Sequence, residues 1–405
     1  MRHSVRAAAV VAALSLVVAA CGSSSATPTA PPSIVSSPTP TVPATDTPAA
    51  TPTAVPTPTP TAAPTDTPAP TDTPTATPTA TASPTKTPPP GPKPAHGTYL
   101  LYDSSKSLPD DNFQPQIWLI KPDGTGAKMI AQGSVSGPLS PSRFNIDAVW
   151  SHSGSTIHIL RYPTDNSNVC VPHLYDMPAG GGAETPKVTL TNHDGNFLWS
   201  PNDSKIAYRH YHEDEICEQN GLSMLNDLVV MNADGSGKHT VRSNISYTVT
   251  AWLPNGSALL AHNDFGEWMK VSLTDGSTTL LNLSADRVEI SPDGSKIAYL
   301  HNGHLWVRAF SGGTSKDFGA ATDFAWSANS TSLAIFSSHL SMQSANTGVG
   351  VIIYTSDGSS PTWSPDGKKI AFRKSAGGLA VIPSAGGIVT AMPGTGAASE
   401  VRWQP

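Results

Sequence analysis

The chain has 405 residues, 38% of them hydrophobic and 13% charged, and a net charge of −6 at pH 7. This mild excess of acid, with no basic block, excludes nucleic acid as a partner. Residues 22–96 hold no aromatic side chain, so the part able to bury a core is 97–405, a length that suits one large all-β domain or two ordinary ones.

The first twenty residues form a targeting segment. "MRHSVR" is a basic start and "AAAVVAALSLVVAA" an apolar stretch too short for a membrane span of about 20 residues. It ends in "VAAC", Val18 to Cys21. That ending resembles the lipobox of bacterial lipoproteins; the plainer alternative is an ordinary secretory signal with a chance cysteine. The resemblance implies a lipid on Cys21. It also implies export to the outer face of the bacterial cell membrane, or to an outer membrane if one is present. The membrane would then be a partner through the anchor alone. Residues 21–96 are mostly Thr, Pro, Ala and Ser. Such a segment cannot offset its ordering entropy by burial and is expected to be a disordered linker. At about 3.1 Å per residue in polyproline II, it could reach on the order of 200 Å and carry a domain clear of a membrane.

From residue 97 the chain repeats one phrase. "VWSHSGSTIHIL" begins at Val149, "LWSPNDSKIAYR" at Leu198, "AWLPNGSALLAH" at Ala251 and "EISPDGSKIAYL" at Glu289. "AWSANSTSLAIF" follows at Ala325 and "TWSPDGKKIAFR" at Thr362, and "VRWQP" at Val401 is its opening alone. The anchor slot thus holds Trp150, Trp199, Trp252, Ile290, Trp326, Trp363 and Trp403, at spacings of 36 to 53 residues. Repetition near 40 residues marks propeller blades or solenoids. Within each copy, Pro presets φ, Asp or Asn bonds its own backbone and Gly accepts positive φ, which makes a tight turn between two short strands. A second strand pair usually follows, as in "LVVMNADGSGKHTV" at Leu228, so each repeat makes a four-stranded antiparallel blade. The slot strand is expected innermost, and the slot tryptophans are read as packing between blades, not as a ligand platform. The start of the domain lacks an inner strand and its end lacks outer ones, so the C-terminal strand should close the ring as part of blade 1. In blade 6, "VIIYTSDGSS" runs almost directly into the next copy; either its outer strand is missing or "HLSMQS" is its third strand.

This pattern of "WSPDG" copies resembles the TolB-like class of β-propeller, a relative of WD-type repeats, over essentially all of residues 97–405. The resemblance implies an all-β propeller, here with seven four-stranded blades. The TolB family itself typically has six blades behind an α/β domain, whose place is taken here by the Thr/Pro linker.

Connections between the second and third strands are long in three adjacent blades: "DSSKSLPDDNFQPQ" from Asp103, "YPTDNSNVCVPH" from Tyr162 and "HYHEDEICEQNGLSMLND" from His210. Blade 1 adds "GSVSGPLSPSRFNID" from Gly133. Long loops on one face suit a partner, the alternative being decorated surface without a ligand. The candidate partner-binding residues are Asp110, Asp111, Phe113, Arg143, Phe144, His210, His212, Glu213, Asp214 and Glu215. The run "HYHEDEIC" includes ligand types, but alternating residues on a strand point opposite ways, so a solvated acidic loop is favoured over a metal site. No catalytic residue, metal ligand or cofactor loop is assigned: the G-x-S-x-G elbow does not occur, and no Gly-rich loop opens a helix. Cys170 and Cys217 fall in neighbouring long connections, and in an oxidising compartment they are expected to pair, the alternative being two free thiols.

The expected function is binding or scaffolding by a lipid-anchored monomer, with a protein or cell-envelope glycan as partner. The alternatives are an enzyme, a hydrolase or lyase acting in the central channel, and a purely structural spacer. Concentrated His, Asp and Arg side chains pointing into the central channel would favour the enzyme; an empty or apolar channel with a broad polar loop face would favour the binder.

Overall fold

The computed structural model describes residues 96–107, 113–133, 146–162, 171–191, 194–212 and 226–405. Cys21, the linker, Asp110, Asp111, Arg143, Phe144, Cys170, Glu213, Asp214, Glu215 and Cys217 lie outside them. Among the described residues there are strands and turns and no helix.

Seven four-stranded antiparallel sheets follow one another in chain order, and together they form a seven-bladed β-propeller. The inner strands are β4 (Ile146–Trp150), β8 (Asp194–Trp199), β12 (Tyr247–Trp252), β16 (Arg287–Ile290), β20 (Asp323–Trp326), β24 (Gly358–Trp363) and β28 (Ala398–Trp403). Each ends on its slot residue. The last of them, β28, pairs antiparallel with β1 (Leu100–Ser107), placing Trp403 opposite Leu100. The ring therefore closes through the C-terminal strand, as the incomplete copy at the chain end requires. Blade 6 is complete: "LSMQS" is its third strand, β22 (Leu340–Ser344), and "GVIIY" its outer one, β23 (Gly350–Tyr354).

The repeated phrase has an atomic reason. After the slot residue comes a Ser whose hydroxyl accepts from the first N–H of the next strand, at 2.9 Å for Ser200, Ser291, Ser327 and Ser364. The same hydroxyl donates to the turn Asp or Asn, as Ser291 does to Asp293 Oδ1 at 2.6 Å. That acceptor also takes the N–H of the residue two further on. Between them sits a residue of positive φ, Gly294 at 75° and Gly367 at 70°. One turn thereby satisfies its own polar groups and fixes the register of the hairpin.

The core lies between blades. Seven clusters of buried hydrophobic residues occupy the seven interfaces, including Leu100, Tyr102, Val381 and Trp403 between blades 7 and 1. The slot tryptophans join these clusters at 3–9% exposure. Their indole N–H groups follow a rule. Trp150 donates to Arg402 O (3.2 Å), Trp252 to Leu198 O (2.9 Å), Trp326 to Glu289 O (3.4 Å) and Trp363 to Ala325 O (3.0 Å). Each acceptor is the residue just before the slot in the preceding blade. Trp403 instead donates to Gly97 O (3.3 Å), and Ile290 has no donor to offer.

Deleting Glu400–Pro405 removes most of β28 and opens two interfaces at once. The expected result is a melting temperature lower by about 10 °C or more, corresponding to a loss of about 5 kcal/mol in a domain of this size. An unchanged thermal melt would contradict closure by this strand.

Candidate functional site

The residues one and three positions before each slot share a face of the inner strand. Four blades place charges there: Asp147 in blade 2, Arg287 and Glu289 in blade 5, Asp323 in blade 6, and Glu400 and Arg402 in blade 1. Two arginine clamps result. Arg402 meets Asp103 at 3.0 Å, Glu400 at 2.6 Å and Asp147 at 3.7 Å, so one guanidinium serves three carboxylates from β1, β28 and β4. Arg287 binds Glu289 and Asp323 and donates to Phe324 O at 3.1 Å. Asp323 also accepts from Ser360 N at 2.7 Å, which links blades 5, 6 and 7.

A clamp with more carboxylates than cations disfavours full ionisation. Burial pushes the Asp103 carboxyl up to about 7; Arg402 opposes this, and the charges of Asp147 and Glu400 add to it. Burial raises Asp147 too, although its side chain keeps 42% exposure and water screens it. Both guanidinium groups are engaged by carboxylates, so these charges act as links between blades.

A cavity opens on either side of the Arg402 clamp, and Val149, Glu400 and Arg402 line both. Toward the face of the "PDG" turns lies one of about 280 Å3, walled by Trp150, Trp326, Trp363 and Trp403 and rimmed by His152, Pro365 and Pro405. A second of about 290 Å3 continues it past Pro201, Pro254 and Pro292. These rim residues all stand two positions after the slot. The turns on this face are short, and the room is in the funnel they surround. Its rim is braced between blades 2 and 3. Asp203 accepts from His152 N at 2.9 Å and Ser153 N at 3.2 Å, and His152 Nδ1 lies 2.7 Å from it. Burial would raise the Asp203 carboxyl, but hydrogen bonds from His152 and His158 outweigh it and hold the group far below the usual carboxylate range.

On the opposite face a larger cavity of about 470 Å3 is lined by blades 1, 2 and 3. Asp103, Asp147, Glu400 and Arg402 form one wall; Tyr162, Phe197 and Trp199 supply aromatic surface. Burial, with the nearby Asp147 charge, keeps the Tyr162 hydroxyl protonated. At its depth His158 stacks on Trp199 at 3.7 Å and bonds Asp176 through Nδ1 at 2.7 Å. This cavity sits on the face of the long connections, at the ends of the strands that lead into them.

The sequence candidates divide. His210, on β9 (Lys205–Tyr211), bonds Asp194 at 2.8 Å, while His212 bonds Asp227 at 2.8 Å. The two histidines thus have different carboxylate partners. Among the described residues no three His, Cys, Asp or Glu are grouped so as to hold a metal. Phe113 opens β2 (Phe113–Ile120) opposite Ser107. Reasoning from loop length did not single out Arg402, Glu400, Asp147 or Arg287. The available signal was a charge recurring one or three residues before the slot, where other copies carry Ala, Val, Leu, Thr, Ser or Asn.

No protein-family model matches the chain, and no curated protein does. Solved structures do. An oligogalacturonate lyase in complex with manganese matches with a TM-score of 0.50 and 10% identity, over 71% of this chain and 93% of that one. TolB from Acinetobacter baumannii matches with 0.44 and 18%, over 76% and 67%. A prolyl endopeptidase matches with 0.49 and 10%, over 75% of this chain and half of that one. What these share with the chain is the propeller fold.

The Asp103 shift has a sign that can be tested. Its ordinary carboxylate value is about 3.9. Between that value and about 7 the native chain binds more protons than the unfolded one. Its contribution to stability is therefore full below about pH 4 and lost as pH rises through 7. The melting temperature of the wild type minus that of Asp103→Asn should fall between about pH 4 and pH 8. A constant difference would refute the shift.

Proposed function

We propose that this chain is an exported binding module that takes its partner at the blade 1–3 cavity. The single observation that carries this reading is the 470 Å3 cavity on the face where the long connections of blades 1 to 3 leave the strands. Its mixture of aromatic and carboxylate surface fits the polar and stacking groups of a peptide or a sugar. The candidate loop residues, from Asp110 to Glu215, would extend this surface, and a Cys170–Cys217 bridge would pin two of the loops together and lower the entropy lost on docking. The partner is a protein or glycan of the cell envelope. Lipid on Cys21 would hold the module at the membrane, with the Thr/Pro linker as stalk. The charged side chains gathered in the channel, Arg402 with Asp103, Asp147 and Glu400 and Arg287 with Glu289 and Asp323, favour the second reading, an enzyme acting in the channel.

Retention of envelope material on the immobilised Cys21→Ser chain tests this. Tyr162→Ala should weaken retention about tenfold while leaving the melt in place. Phe265→Ala, exposed in blade 4, should change nothing. Protease treatment of the envelope fraction separates a protein partner from a glycan. Equal retention by the wild type and Tyr162→Ala would overturn the site.

A further inference from the structure

Among the described residues, each blade ends in an outer strand with one unpaired edge. A free row of backbone N–H and C=O groups recruits further strands unless charge, proline, kinking or shortness prevents it. Six of the seven outer strands carry such a guard. Lys128 opens β3 (Lys128–Gln132), and Pro186 and Lys187 stand in β7 (Thr185–Thr189). β11 (His239–Ile245) has Arg242 and a positive φ at Asn244. β15 (Thr278–Ser284) turns at Asn282, φ 51°. β19 (Lys316–Ala320) has Lys316 and Asp317, and β27 (Thr390–Ala391) is two residues long.

β23, of sequence GVIIY, has neither charge nor proline nor a residue of positive φ, and a bulge at Ile353 is its one irregularity. Gly350, Val351 and Ile352 stay in register with Gln343, Met342 and Ser341. Around this edge the apolar side chains are bare: Val349 at 74%, Val351 at 54% and Ile352 at 58%. Ile388, 87% exposed, sits on the adjoining turn of blade 7, whose Gly386 lies against Ile353.

We propose that β23 is a dimerisation edge, at which two copies of this chain pair their β23 strands antiparallel about a two-fold axis. The pairing joins two blades into one eight-stranded sheet. With Ile352 on the axis, Val351 faces Ile353 of the partner subunit, and Gly350 leaves room beside Tyr354 of the partner subunit. A strand without charge meets itself with no like-charge repulsion, and a two-fold contact requires such self-complementarity. Lys316, which reaches the turn before the strand, is tied to the Thr347 carbonyl. The area available is small. Four exposed aliphatic side chains amount to on the order of 400 Å2 per copy, so two copies bury about 800–1,000 Å2 with their flanking backbone, the low end for specific association. The dimer is accordingly weak, with a dissociation constant on the order of 10 µM.

Sedimentation equilibrium of the full chain, as Cys21→Ser, from roughly 1 to 200 µM reads this directly. The wild type should pass from monomer to dimer across that range. Ile352→Lys should weaken the dimer at least tenfold with an unchanged thermal melt. Ile352→Thr, which keeps a β-branched residue, should weaken it less, and Phe265→Lys should leave it unchanged. A monomer at every concentration, the state expected from the sequence, would overturn the proposal. So would a dimer that persists in Ile352→Lys, or a monomer whose apolar edge binds phosphatidylglycerol vesicles instead.

Discussion

The structure depends on one hydrogen bond that recurs at four of the seven blade interfaces: an indole N–H reaching back to the inner strand of the preceding blade. In Trp150, Trp252, Trp326 and Trp363 the acceptor is the carbonyl just before that blade's slot. The bond does two things. It satisfies an inner-strand carbonyl at the blade interface, where leaving it unpaired costs about 1–3 kcal/mol. It also sets the distance between neighbouring inner strands, and hence the width of the channel. Three slots depart from it: Ile290 has no N–H to donate, Trp403 donates to Gly97 O, and Trp199 stacks on His158 at 3.7 Å.

With the inner strands held in that register, the channel residues fall at fixed heights. Arg402 and Arg287 then bridge strands that no loop connects directly. Arg402 ties β28 to β1 and β4, at the seam where the two ends of the domain meet. It also divides the space along the axis, with a funnel of tryptophan and proline on one side and an aromatic and acidic cavity on the other. Closure of the ring and the shape of the candidate site therefore rest on the same side chain.

Much of this was legible in the sequence, for a physical reason. A blade is a local unit whose turn must satisfy its own polar groups, so Ser, Pro, Asp and Gly recur at fixed offsets, and copies can be counted. Seven blades, closure by "VRWQP" and the slot tryptophans as packing residues all follow from that periodicity. Contacts between blades were not legible. Arg402 and Asp103 lie 299 residues apart, and nothing local to either marks the other. The funnel was missed because a Pro two places after the slot reads as a turn former, although seven such positions also ring the channel mouth. His210 and His212 show the converse. Their spacing is conspicuous in sequence, yet each is occupied by a different aspartate.

The central claim is that the indole bonds make seven blades one cooperative ring. Hydrogen exchange of the tryptophan indole N–H groups, followed by NMR, tests it most directly. The account predicts that the N–H groups of Trp150, Trp252, Trp326 and Trp363 exchange at one common rate, set by global unfolding. If one of them exchanged orders of magnitude faster than the others, its blade would open alone, and the ring would not be held as described.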